Sequence, residues 1–174
     1  MSAVSRMTHQ NMGVDNMNAP DTTSQAVDLL GEHERLIGRL YGVYADKFPE
    51  EREFWLSLSQ EEAQHANWIE SLRSRIEDDP ASLIVDRFPT VAIQHSVGYV
   101  NKLIDQASRP GLTRVKALSA AVDIERALLE NKYFDVFASD SPALRRTLEL
   151  LDRSTRSHFQ KVQQLWQDAA QRRP

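Results

Sequence analysis

Glutamates and histidines interrupt otherwise apolar helical stripes in this sequence, and they carry most of its chemical potential. Read at alternating three- and four-residue spacing, a first stripe runs Leu30, Glu34, Ile37, Tyr41, Tyr44, Phe48. A second runs Trp55, Leu58, Glu62, His65, Ile69, Leu72, Ile76. A third runs Val115, Leu118, Val122, Glu125, Leu129, Lys132, Val136. The fourth runs Leu144, Leu148, Leu151, Thr155, His158, Val162, Leu165, Ala169. An unpaired carboxylate in apolar surroundings is costly, so one polar break in each stripe asks for a common partner. A divalent cation is such a partner, because carboxylate oxygens and imidazole nitrogens are among its ordinary ligands. Other readings stay open residue by residue. Each glutamate alone fits a buried hydrogen bond, each histidine alone fits a satisfied core position, and Lys132 offers a cation as an alternative to metal.

The elements that must position these groups are helices. Thr23 or Ser24 can cap a helix that runs to about Phe48. Pro49 suits the first turn of a second helix, which runs to about Glu77 before Asp78-Asp79-Pro80 stops it. A third stretch covers about 91–108 and is punctuated by Arg109-Pro110-Gly111. A fourth runs from about Leu112 to Ala138, and a last helix follows Ser139-Asp140-Ser141-Pro142 to about Ala170. No segment reads as a convincing strand. Glu34 and Glu62 are equally distant from Phe48, and Glu125 and Thr155 are equally distant from Asp140. At 1.5 Å rise per residue, each group sits about 21 Å from its turn, so all four can meet at one level if each pair of helices folds as a hairpin. The long link 78–111 predicts that the two hairpins are joined by a crossover carrying the extra helix. Residues 1–23 have few large apolar groups and no period, which predicts a disordered tail ahead of a helical domain over 24–174.

Glu62-Ala63-Gln64-His65 is a Glu-x-x-His, whose three-residue spacing puts both side chains on one helix face. Thr155-Arg156-Ser157-His158 keeps the histidine and has a threonine in place of the glutamate. Di-iron carboxylate bundles take single glutamates from two helices and Glu-x-x-His from two others. Together with Glu34-x6-Tyr41, Glu125-x7-Tyr133 and the phrase AVDIERALLENKYFDVF, this pattern resembles the rubrerythrin-type branch of the ferritin-like superfamily over about residues 25–170. The resemblance implies an all-α four-helix bundle with a long crossover, assembled as a homodimer or larger homo-oligomer. It implies a non-haem iron centre that oxidises Fe(II) or reduces peroxide, with zinc or manganese as alternative metals. Glu34, Glu62, His65, Glu125 and His158 then match ligand positions, with Glu62 as the bridge. Tyr41 and Tyr133 match phenols that hydrogen-bond a ligating carboxylate. Thr155 stands where that family has a second bridging glutamate, which removes one negative charge and weakens or abolishes the second metal position. Asp152 lies one turn away and is a candidate substitute.

Composition bounds the rest. With Cys 0, disulfides, cysteine-ligated zinc and iron–sulfur clusters are excluded, so a peroxidase cycle would need an external electron donor. The net charge of −4 gives no reason to expect nucleic acid. No apolar run approaches the roughly 20 residues of a membrane span, and the N-terminus lacks a secretory apolar core, which predicts a cytoplasmic protein. Glu61, His33 and His95 fall off the stripes and His9 falls in the tail, which predicts that all four are solvated. Trp55 and Trp68 read as core packing. Two other functional classes are compatible with the sequence: a degenerate bundle serving as scaffold, sensor or interaction module with at most one metal, and cage-forming iron storage.

Overall fold

The computed structural model describes residues 19–78, 84–85, 90–130, 137–138 and 142–171. The fold is all-helical in character, with α1 (Ala19–Lys47), α2 (Arg52–Asp78), α3 (Thr90–Ala107), α4 (Arg114–Glu130) and α5 (Pro142–Gln171). A 3-10 turn at Pro49–Glu51 joins α1 to α2, with Pro49 at its start.

Side-chain contacts fix how the helices run. On α1 and α2, Asp28 pairs with Arg73 at 3.0 Å, Arg35 with Glu70 at 3.2 Å, and Asp46 with Arg52 at 2.6 Å. Partner numbers fall on one helix as they rise on the other, so the two are antiparallel. Against α3 both numbers rise: His33 Nε2 meets Ser96 Oγ at 2.8 Å, and Lys47 Nζ donates to the Ala107 carbonyl at 2.6 Å. Helix α3 therefore runs parallel to α1 and brings the chain back to the end where α1 and α2 join. The link to α4 turns at Gly111, whose φ of +93° is open to glycine and strained for other residues. Arg114 at the start of α4 pairs with Glu51 beside that same turn, and Glu125 further along meets Tyr41, so α4 runs antiparallel to α1. Helix α5 packs on α4 and reaches α2.

Helix α1 is buried on more than one face because α2 and α3 both pack on it. Beside the stripe residues Leu30, Glu34, Ile37, Tyr41 and Tyr44, Ala26, His33 and Leu40 are also buried. Where the α1–α2 turn closes, Tyr41 and Trp55 lie 5.5 Å apart and Tyr44 and Trp55 meet edge-on at 5.0 Å. Trp55 is fully buried and Trp68 is half-buried.

Several boundaries differ from those read in the sequence. Helix α1 is described from Ala19, ahead of Thr23, and Pro20 is tolerated there because the first helical turn does not need its N–H. Helix α4 is described over Arg114–Glu130, and Ala138, expected to close it, is not helical. Phe137–Ala138 instead pairs antiparallel with Ile84–Val85, Ile84 opposite Ala138 and Val85 opposite Phe137. Ile84, Val85 and Phe137 are β-prone, and the two segments meet across a long sequence separation that no local period records. Residues 1–18, including His9, and residues 131–136, including Lys132 and Tyr133, lie outside the described residues. No helix among the described residues is long and apolar enough to cross a membrane.

Gly38 sets the close approach of α1 to α2 at the level of Glu62. A Cβ there would lie 3.2 Å from the Ser59 carbonyl oxygen and 3.3 Å from Glu62 Cβ, and Ser59 Oγ already donates to the Gly38 carbonyl at 2.7 Å. Gly38→Val should therefore destabilise the protein by about 1–3 kcal/mol through overpacking. At Gly42 an added Cβ meets only Ser59 Oγ at 3.7 Å, an ordinary contact. Gly42→Ala should be neutral or stabilise by up to about 1 kcal/mol through helix propensity. Thermal melts of the two variants check the contrast; equal effects would show that the helices do not touch at Gly38.

Candidate functional site

Glu34 from α1, Glu62 and His65 from α2, Glu125 from α4, and Thr155 and His158 from α5 are all fully buried. Each is polar within an apolar stripe, so its helix carries it inward along with its hydrophobic neighbours. Glu34, Glu62 and Glu125 converge on the two imidazoles, as their turn distances require, while the Thr155 hydroxyl contacts none of them.

Glu62 is the centre of the cluster. One of its oxygens lies 2.9 Å from His65 Nδ1 and the other 2.7 Å from His158 Nδ1. Glu34 flanks the His65 side, with an oxygen 3.4 Å from Nδ1. Glu125 flanks the His158 side, with an oxygen 3.8 Å from Nδ1. Tyr41 donates to that same Glu125 oxygen at 2.6 Å. The two imidazoles stack at 5.2 Å with 21° between their planes, and the Trp68 ring lies 5.6 Å from His65. Ligand atoms of Glu62, His65 and His158 all fall within 4.8 Å of one another, close enough to share one ion.

The electrostatics follow from burial and this pairing. Burial works against the Glu62 carboxylate, but hydrogen bonds from His158 and His65 outweigh it and hold the group well below the usual carboxylate range. Burial and the neighbouring Glu62 charge push Glu34 well above that range and raise Glu125 to about 8. Burial alone would lower both imidazoles. Contact with Glu34 and Glu62 instead raises His65 to about 10, and Glu62 and Glu125 raise His158 to about 9. Without metal, this pairing favours a charged Glu62 between two protonated imidazoles, and burial favours the protonated form of the flanking carboxyls. Burial and the Glu125 charge also push the Tyr41 phenol up, so it stays a donor.

Glu34 Oε1, Glu125 Oε2, His65 Nε2 and Thr155 Oγ1 are buried with no hydrogen-bond partner among the described residues, and Glu34 Oε2 has only the 3.4 Å approach of His65 Nδ1. Polar atoms in that condition are rare in folded proteins. They belong to the residues whose types and depth fit a divalent cation, so the donor set and its unmet hydrogen-bonding capacity agree.

One residue expected to be solvated is not, and another is only partly so. His33 is fully buried under α3, where desolvation lowers its imidazole to about 4 despite the Glu62 charge. The signal lay in the breadth of apolar surface on α1, since His33 falls in line with Ala26, Leu30, Ile37 and Leu40. Glu61 is partly exposed, and its Oε2 accepts from His158 Nε2 at 2.8 Å while Lys161 approaches both its oxygens at 3.1 and 3.3 Å. The side chain leaves the stripe at its Cα and returns through its length, which stripe counting does not register. His95 is exposed, as expected. Asp152 pairs with Arg156 at 2.8 Å on the surface and does not join the cluster. Comparison with family models, with curated proteins and with solved structures returned no match to this chain.

Proposed function

We propose that the chain is a ferritin-like helical bundle that binds divalent metal, iron first among the candidates, through Glu34, Glu62, His65, Glu125 and His158. The observation that carries the reading is the meeting of three buried carboxylates and two imidazoles from four helices, with buried carboxylate oxygens left unpartnered. The helix directions support it: α1 and α2 form an antiparallel pair, α3 returns along α1, and α4 starts beside the first turn.

In this reading each residue has a part set by its place. Glu62 has one oxygen toward each imidazole, the disposition of a bridging carboxylate. Glu34 with His65 would hold one ion, and Glu125 with His158 the other. Tyr41 orients Glu125 by donating to it. The aromatic wall of Tyr41, Tyr44 and Trp55 lies toward the α1–α2 turn. Bound iron would supply one-electron redox chemistry toward oxygen or peroxide. Thr155 favours a second reading, in which a single ion sits at Glu62, His65 and His158 and the bundle serves as a scaffold or sensor.

Protein purified without chelator should contain metal by elemental analysis, and metal-stripped protein should take up Fe(II) or Zn(II). His65→Ala should lower the content severalfold, because no other nitrogen on α2 reaches that depth. Zinc and iron content indistinguishable from background, in parent and variant alike, would refute the metal reading. Metal uptake without Fe(II) oxidation would favour the scaffold over the enzyme.

A further inference from the structure

We propose that Glu61 is a positioning residue for His158, locking the ring so that Nδ1 faces the buried carboxylates and is the nitrogen offered to a metal. The inference rests on the metal reading above. A carboxylate accepts hydrogen bonds, so the 2.8 Å contact between Glu61 Oε2 and His158 Nε2 places the proton on Nε2. Nδ1 then points inward, 2.7 Å from Glu62 Oε1 and 3.8 Å from Glu125 Oε1. Glu61 is itself held from two sides. Ser57 Oγ donates to Oε1 at 3.0 Å from within α2, and Lys161 Nζ reaches both oxygens from α5, one turn beyond His158. The ring is therefore fixed by a chain running from a surface lysine through Glu61 to the buried cluster. His65 has no such device: its Nε2 is buried and unpartnered among the described residues, and the rings of Trp68 and His158 lie against it instead. The two imidazoles thus differ in how firmly they are oriented, and the difference assigns Glu61 a role that its place off the stripe does not reveal.

Support for a metal-binding histidine through its other nitrogen is typically worth 10–100-fold in affinity. The test uses the full chain, Glu61→Ala and Glu61→Gln, with two readouts. In titrations with Zn(II), Glu61→Ala should bind about 10–100-fold more weakly than the parent. Glu61→Gln keeps an oxygen acceptor and should recover most of that loss. In long-range proton–nitrogen spectra of the metal-free protein, the parent should show a slowly exchanging Nε2 proton on His158. That signal should be lost in Glu61→Ala and present in Glu61→Gln. A merely structural role would lower the melting temperature of the metal-free variant without touching that proton. Parent binding of Zn(II) with unchanged affinity in Glu61→Ala overturns the proposal, as does an equal loss in both variants. If the parent binds no Zn(II), the metal reading fails by itself. The spectra then decide on positioning alone, and an unchanged Nε2 proton in Glu61→Ala overturns it.

Discussion

Thr155→Glu should raise the metal stoichiometry toward two ions per chain and lower the melting temperature of the metal-free protein by several degrees. Thr155 is fully buried on α5, one turn before His158, and its hydroxyl has no partner among the described residues. A neutral hydroxyl is a poor ligand for divalent iron beside the carboxylates around it. The substitution restores Glu-x-x-His on α5 and adds the negative charge that a second divalent ion needs. Without metal, the same carboxyl would be buried one turn from His158, whose ring nitrogens are already engaged by Glu62 and Glu61. Its extra volume adds strain of about 1–3 kcal/mol. Metal should then stabilise the variant more than the parent, because binding to the folded state alone shifts the folding equilibrium. Thr155→Gln separates the two effects, since it adds the same volume without the charge. Glutamine should destabilise with or without metal, and only glutamate should be rescued by Zn(II) or Fe(II). Identical melts for the two variants in both conditions, with no gain in metal counted per chain, would mean that residue 155 does not face a metal site.

The inward-facing polar residues were legible because a helix repeats its face every three to four residues. Glu34, Glu62, His65, Glu125 and His158 each stand in line with residues such as Ile37, Leu58, Leu118 and Leu151 that have no other reason to share a spacing. Their common level was legible because helical rise is fixed, so distance from a turn converts directly to height. Reach across helices was not. Glu61 leaves the stripe at its backbone and rejoins the site through a flexible side chain, which only a neighbour such as Lys161 on α5 makes visible. Packing on a second face was missed as well. Counting one stripe on α1 left His33 outside, although α3 covers that side and buries it. Long-range pairing left no local trace at all. Phe137 and Ala138 read as the end of a helix, yet they pair with Val85 and Ile84 from the other connection. Of the Glu125-x7-Tyr133 pattern, Glu125 is buried in the cluster and Tyr133 lies outside the described residues. Tyr41 donates to Glu125 on α4 rather than to Glu34 of its own helix, a pairing that the Glu34-x6-Tyr41 spacing does not reveal.

Metal binding should release at least two protons per chain near pH 7, and the stabilisation that metal confers should grow as pH rises. The argument starts from the metal-free core. His65 is raised to about 10 and His158 to about 9 because both rest on Glu62, so both carry a proton on the nitrogen that faces the cluster. A metal ligand must be unprotonated, so an ion at Glu62, His65 and His158 displaces one proton from each ring. Glu125, raised to about 8, and Glu34, held above its usual range, release more if they join the coordination. Linkage then fixes the sign. Displacing two protons makes apparent affinity climb about 100-fold per pH unit while both rings stay protonated in the free protein. The metal-free protein should move the other way. A group with a raised folded pKa contributes stability that is fully present below its unfolded pKa. That contribution is lost as pH rises through the folded value. For the two histidines the window opens near 6.5 and closes at about 9 to 10, and Glu125 loses its contribution in the same sense on the way to about 8. Melting temperature without metal should therefore fall from pH 6.5 to 9.5, while the gap between melts with and without Zn(II) widens until metal hydrolysis intervenes. Calorimetric titration of Zn(II) in two buffers of different ionisation enthalpy counts the protons directly. A count near zero would mean that the imidazoles are already neutral, and the picture of Glu62 held between two charged rings would be wrong.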